Sequence, residues 1–359
     1  MAKLFGKEYT KAQLMKKAGN IDQLGGVRRM QFCDGTSKGV ECAVFRTGAG
    51  LSFTATIDRA LDITSAEFKG MSLCYRTPIG EKSPYFYDPA GMEWLYSFPA
   101  GMFSTCGLMN VGVPNEFDGD IKGQHGRVSN IPASNVAVDG YWDGDDYVMY
   151  AKGKIRETAF FGVNTVIDRT ISCKLGENKV KVEDVITNEA NRPMPLMVLY
   201  HMNTGFPLLD KNSYICFASE KTVPRDAEAE KGIGEYNVMQ DPVNGYAEQV
   251  FYHTMKARED GVTCAALINP DIKLGYYVKY NTKELGYMTQ WKCMDEAQYV
   301  VGIEPANCHV YGMAWEAENG TLEYLDSFGS KHVAFEIGVL SGEEEIESYK
   351  ALVASILNG

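Results

Sequence analysis

Only five histidines occur in the 359-residue chain, at positions 125, 201, 253, 309 and 332, so the company each keeps is informative. His125 sits in "KGQHGRVSNIPA", between Gly123 and Gly126 and two residues before Arg127. Flanking glycines let backbone and ligand approach closely, and a histidine beside an arginine suits hydroxyls or anions. A solvated turn histidine fits that stretch equally well. His201 closes the apolar run "PLMVLY" and opens "HMNTGFPLL", so the period of two puts His201 and Asn203 on one strand face. There it can serve as a general acid with its pKa near working pH, or as a core histidine held by hydrogen bonds. Glu304 follows another apolar run, in "YVVGIEPANC". A carboxylate driven into such a place either pairs with an arginine or has its pKa lifted by burial and becomes a general base.

The elements that must position these residues are strands. Between residues 40 and 341 the signal is a period of two or a short apolar run, punctuated by glycine, asparagine and aspartate, as in "GVECAVFRTG", "YVMYAKGKIRE", "NKVKVEDVITN" and "KLGYYVKYN". No regular alternation of strand and helix appears, which argues for an all-β sandwich and against a Rossmann or TIM-type fold. Thr10 and Gln13 form a capping-box pattern for a short opening helix stopped at Gly19 and Asn20. Ser341 and Glu344 repeat the pattern ahead of Ile346, Tyr349, Leu352 and Ile356, which predicts a closing helix. Two stretches, "EKSPYFYDPAGMEW" and residues 220–245, read as long loops, and no linker divides the chain, so one domain over 1–359 is expected.

The bulk composition, 45% hydrophobic and 23% charged, is that of a folded globular protein. A net charge of -12 would repel a phosphate backbone or an anionic membrane surface, so neither nucleic acid nor membrane is an expected partner. Nine scattered cysteines with no C-x-x-C pair, and no apolar leader or spanning segment, predict a reduced, cytoplasmic protein. The P-loop, H-E-x-x-H and G-x-S-x-G signatures are all missing.

Nine segments in order, "FGKEYTKAQLMKKAGNIDQLGGVR", "DRALDI", "STCGLMNVG", "QHGRVSNIPA", "VEDVITNEA", "LYHMNTGFPLLD", "VPRD", "EQVFYH" and "YVVGIEPANC", resemble the galactose mutarotase-like superfamily, and within it the aldose 1-epimerase-related DUF4432 family. The resemblance implies a galactose mutarotase-like β-supersandwich and a carbohydrate-active isomerase that interconverts sugar anomers. It further implies that His125 of "QHGR" holds the sugar, His201 of "LYHMN" is the general acid and Glu304 of "GIEPAN" the general base, with no metal or other cofactor. The family's substrate-binding aspartate has two candidates, Asp210 and Asp226.

Around such a site Arg59, Arg127, Asn203, Gln290 and Asn307 are candidates to bind hydroxyls, and Phe206, Trp94 or Trp291 to offer an apolar face. Arg59, Arg127 or Arg225 would read an anionic substituent if the sugar carries one. Two rival readings accompany this one. His125, His201, Glu304 and Glu248 could hold a divalent metal for a sugar isomerase or epimerase, or the chain could bind carbohydrate without turnover. The expected partner is a small carbohydrate, and a homodimer is an open option. His253, His309 and His332 are read as packing or surface residues.

Overall fold

A computed structural model describes residues Met1–Gly359. Three antiparallel sheets of eight, seven and five strands enclose the core. The five-stranded sheet comes first, from Gly26–Gln31 to Met71–Ser72. The eight-stranded sheet runs from Ser134–Asp143 at one edge to Tyr214–Phe217 at the other, and its middle holds Lys179–Asn188 beside Ser330–Ser341. In the seven-stranded sheet the strand order is Ser219–Pro224, Gln249–Met255, Tyr287–Asp295, Gln298–Ala306, Met194–Thr204 and Glu323–Leu325, with Ser104–Leu108 also paired to Met194–Thr204. One continuous apolar core joins all three sheets through residues such as Phe45 and Ile63, Ile171 and Phe335, and Val198 and Ile303.

A buried polar network stitches the three sheets together. Arg169 donates through Nε and Nη2 to Asp184 at 2.8 and 2.6 Å and through Nη1 to Asp62 at 2.8 Å. Asp62 also accepts from the Thr105 backbone and hydroxyl, and the Tyr200 hydroxyl donates to Asp184 at 2.6 Å. A buried charge cluster of this kind tolerates burial because every oxygen has a donor, and loss of one member would strand the others. Its place is directly behind His201, the residue after Tyr200.

The opening helix is shorter than its pattern predicts. Its Thr10–Gln13 capping box forms on both sides, but the helix spans only Lys11–Met15, and its end is a tightened turn in which the Lys17 and Ala18 N–H groups share the Leu14 carbonyl. The closing helix, Glu343–Asn358, lays Ile346, Tyr349, Val353 and Ile356 against the outer face of the eight-stranded sheet, with Leu352 only partly buried. Its expected Ser341 cap is replaced. Gly342 takes the N-cap with φ +92 and the Glu345 carboxylate accepts the Ser341 N–H. Residues 220–245 also differ from a plain loop, since Ser219–Pro224 is an edge strand and Asp226 caps a short helix, Ala227–Lys231.

Candidate active site

Side-chain parity on two neighbouring strands places the acid–base pair. Along Met194–Thr204, Leu196, Val198, Tyr200 and Met202 enter the core between the sheets, whereas Met197 and Leu199 point the other way into a second apolar cluster. His201 and Asn203 continue that second row. On Gln298–Ala306, Val301 and Ile303 are in the core and Ala306 is in the second cluster, so Glu304 shares its face. The antiparallel register that sets Met202 opposite Ile303 brings His201 level with Glu304. His201 Nε2 lies 3.3 Å from Glu304 Oε1. Gly302 explains the glycine of "GIEP", because a Cβ there would stand 2.2 Å from Glu304 Oε1 and 3.0 Å from Trp291 Cβ. The carboxylate occupies the space a side chain at 302 would fill.

The long excursion between the five- and eight-stranded sheets, residues 73–133, supplies the cover. His125 has φ +53 and packs its backbone on the Ser104–Leu108 strand, donating to Gly112 and accepting from Gly107. Gly126 permits this, since a Cβ would sit 2.1 Å from the Gly107 carbonyl oxygen. The Gly112 N–H donates to His125 Nδ1 at 3.3 Å, so the neutral ring carries its proton on Nε2, which is free to donate. Trp94 packs against His125 with its ring tilted by 44° at 4.6 Å between centroids, and His125 meets His201 edge-on at 5.7 Å. Phe98 and Trp291 complete the wall around His201, at 5.3 and 5.4 Å.

Burial governs the electrostatics. His125 and His201 have their pKa lowered to about 4 and about 3, chiefly by desolvation, and the neighbouring His125 also disfavours a charge on His201. Glu304 is raised well above the ordinary carboxylate value, first by burial and then by the like charge of Glu248, with Arg225 opposing. Burial thus disfavours the charged form of both partners, the carboxylate of Glu304 and the imidazolium of His201. Several buried polar atoms on this face have no partner: His201 Nδ1, Asn203 Oδ1, Thr289 Oγ1 and Glu304 Oε1. Unpaired polar atoms gathered in one place are expensive unless a ligand completes them.

The structure separates the other candidates. Asn203 belongs to the site, with its amide committed to the His201 and Gly101 carbonyls and its oxygen free. Arg59 does not line it. Its guanidinium is buried and donates to the carbonyls of Ser129, Lys82 and Ser97 at 2.6–2.9 Å, tying down the excursion that carries Trp94, Phe98 and His125. Gln290 has the wrong parity: on Tyr287–Asp295 it faces the core, bonding His253 Nε2 at 3.0 Å and the Tyr236 carbonyl at 2.7 Å. Asn307 works as a splice, its side chain accepting from Val198 N–H and donating to the Leu196 carbonyl and Glu323. Arg127 is exposed, and its charge acts on Glu157 and Tyr87.

Among the aromatic candidates, Trp94 and Trp291 line the site, whereas Phe206 is 68% exposed and makes no ring contact there. Asp226 is committed as a helix cap and to Arg225, and Asp210 to the turn at 210–213. The carboxylate at the rim is instead Glu248, which accepts from Trp291 Nε1 at 2.8 Å and faces Arg225 at 3.5 Å. Phe98 and Thr289 went unread in the sequence; Thr289 was recoverable only from its register opposite Glu304. No three His, Cys, Asp or Glu side chains converge as a metal-ion site, so His125, His201, Glu304 and Glu248 do not assemble the ligand set of the rival reading. No helix is long and apolar enough to cross a membrane.

Comparison with known proteins adds family and fold. A family model described as "Domain of unknown function (DUF4432)" matches residues 37–339. A Klebsiella pneumoniae structure provisionally described as an aldose 1-epimerase superposes with TM-score 0.89 at 25% identity, covering 94% of this chain and 91% of that one. A galactose mutarotase-like protein from Clostridium acetobutylicum gives 0.62 at 13% identity, over 89% and 99%. Galactose 1-epimerase from Lactobacillus acidophilus gives 0.58 at 10%, over 89% and 100%. These last two share the fold, the galactose mutarotase-like β-supersandwich. A comparison with curated proteins found no match.

Proposed function

This chain belongs to the DUF4432 family, and from that membership and the geometry of its buried acid–base pair we propose that it is an aldose 1-epimerase acting on a neutral sugar. The observation that carries the reading is His201 Nε2 at 3.3 Å from Glu304 Oε1, beside His125 and a set of unpartnered polar atoms. The likeness to the Klebsiella pneumoniae protein supports the reaction class.

Opening a cyclic hemiacetal requires the O1 proton to leave while the ring oxygen gains one. The C1–ring oxygen bond breaks as the C1=O1 bond forms, rotation about C1–C2 follows, and reclosure from the other face returns both protons. One proton shared by two facing groups suffices, because the group that gives in ring opening receives in ring closure. With substrate bound, Glu304 takes the O1 proton and His201 protonates the ring oxygen. The sugar hydroxyls supply the partners the empty site lacks, and they stabilise the carboxylate form of Glu304. His125 Nε2–H donates to a hydroxyl, Asn203 Oδ1 and Thr289 Oγ1 accept, and Trp94 and Trp291 face the ring carbons.

A neutral substrate is favoured because the nearby cation, Arg225, already faces two carboxylates, Asp226 at 2.8 Å and Glu248 at 3.5 Å. The test is anomer exchange by NMR over a panel of aldoses and sugar acids, with wild type, Glu304→Gln and His201→Asn. Loss of about 10²–10⁴ in rate is expected in each variant. Exchange within a few fold of wild type in either would refute the assignment.

A further inference from the structure

On the same sheet face stands a second histidine–carboxylate pair that the proposed reaction does not use. Glu316, fully buried on the helix Met313–Glu318, accepts the His309 backbone N–H at 2.7 Å and lies 3.2 Å from His309 Nδ1. The Thr321 hydroxyl bonds its other oxygen. This fixes the imidazole with its Nδ1 proton toward the carboxylate and its Nε2 outward. Four rings surround it: Tyr287 at 4.5 Å, Tyr252 at 4.9 Å, Trp315 at 5.3 Å and Tyr311 at 6.1 Å.

All five rings are only partly buried. None of the protein's hydrogen bonds uses the Tyr287 hydroxyl, the Trp315 indole N–H or His309 Nε2. Aromatic faces left half in water with free polar tips match a pyranose ring, which offers an apolar face of C–H bonds and a rim of hydroxyls.

The cluster is continuous with the acid–base site. Tyr252 pairs with Thr289 and Thr289 with Glu304 across adjacent strands, so Tyr252 stands about 10 Å from Glu304, two strand spacings. Arg225 links the two: its carbonyl accepts the Tyr311 hydroxyl at 3.1 Å and its guanidinium faces Glu248, the partner of Trp291.

We propose that this cluster is a second sugar-ring subsite and that the substrate class is a reducing oligosaccharide, its reducing-end ring at His201 and Glu304 and its next ring on Tyr287, Trp315 and His309. The inference rests on the aldose 1-epimerase reading. Because O1 of the reacting ring must be free, the second ring hangs from another carbon.

The experiment measures anomer exchange for glucose and galactose against lactose, maltose and cellobiose, in wild type, Tyr287→Ala and Trp315→Ala, with melting temperatures to check folding. Saturation-transfer NMR with the same sugars on Glu304→Gln reads binding without turnover. The expected result is a KM for at least one disaccharide about ten-fold below that of its monosaccharides, with the variants raising the disaccharide KM about ten-fold more than the monosaccharide KM. Equal changes for both sugar classes, or no disaccharide preference in wild type, would overturn the subsite. If no sugar exchanges, the epimerase reading fails separately, and the subsite is then decided by saturation transfer: contacts to the second ring that vanish with Tyr287→Ala or Trp315→Ala uphold it, and none overturns it.

Discussion

Glu157→Gln should stabilise the protein, and by an amount that depends on pH in a prescribed way. Glu157 is 5% exposed on the strand Asp146–Thr158, and its one hydrogen bond is a long one, 3.4 Å from the Leu108 N–H. Burial raises its pKa from 4.5 to about 7, with the Leu108 N–H, Arg127 and Lys122 opposing. Below the unfolded-state value both states are protonated and the glutamate costs nothing. As pH rises toward about 7 the unfolded chain ionises and the folded one does not, so stability is lost progressively and then levels off. The difference of about 2.5 pH units, at about 1.4 kcal/mol each, comes to about 3 kcal/mol. Glutamine keeps the acceptor for Leu108 and removes the charge. Urea unfolding should therefore show Glu157→Gln more stable than wild type by about 3 kcal/mol at pH 8.5 and by less than about 1 kcal/mol at pH 5. His125, His201 and His253 are also buried with lowered pKa, but they are common to both proteins and cancel in the difference. A pH-independent difference would refute the assignment of Glu157 as a buried, weakly compensated acid.

Three further outcomes follow from the same contacts. Arg127→Ala removes an opposing charge, so the pH at which Glu157 ionises in the folded state should rise; a downward move in the unfolding profile would contradict the role given to Arg127. Arg59→Lys cannot span the Ser129, Lys82 and Ser97 carbonyls together, so it should lower stability by about 2–3 kcal/mol in urea unfolding and raise the sugar KM more than it lowers kcat. Unchanged KM with lost stability would make it a purely structural strut. Glu248→Gln removes the like charge that raises Glu304, so the limb of the kcat/KM–pH profile belonging to the His201–Glu304 pair should move to lower pH; no movement, or an upward one, would sink the coupling.

The strand alternation was legible because it is local: "NKVKVEDVITN" and "PLMVLYHMN" fold into strands whose alternate residues enter the core. His125, His201 and Glu304 also come together; His201 and Glu304 each end an apolar run where a polar group has to be accounted for, whereas His125 sits in a polar, glycine-flanked turn and was marked only by the family resemblance. Hydroxyl binders were harder to read, because type and position do not reveal which face a residue takes or what its donors already hold. Gln290 and Trp291 are sequence neighbours on opposite faces, and only the pairing of Trp291 with Gly302 and of Thr289 with Glu304 decides which belongs to the site. Arg59 and Asn307 carry the right groups, but carbonyls and an N–H from distant segments use them. The segments that carry the family resemblance divide on the same line. "DRALDI" contributes Asp62, "STCGLMNVG" Thr105, "VEDVITNEA" Asp184 and "LYHMNTGFPLLD" Tyr200, and all four meet Arg169 or one of its carboxylates in the buried network. That network anchors the strand on which His201 follows Tyr200. A motif can thus mark a scaffold position as readily as a reacting one, and within "LYHM" the two are adjacent residues on opposite faces of one strand.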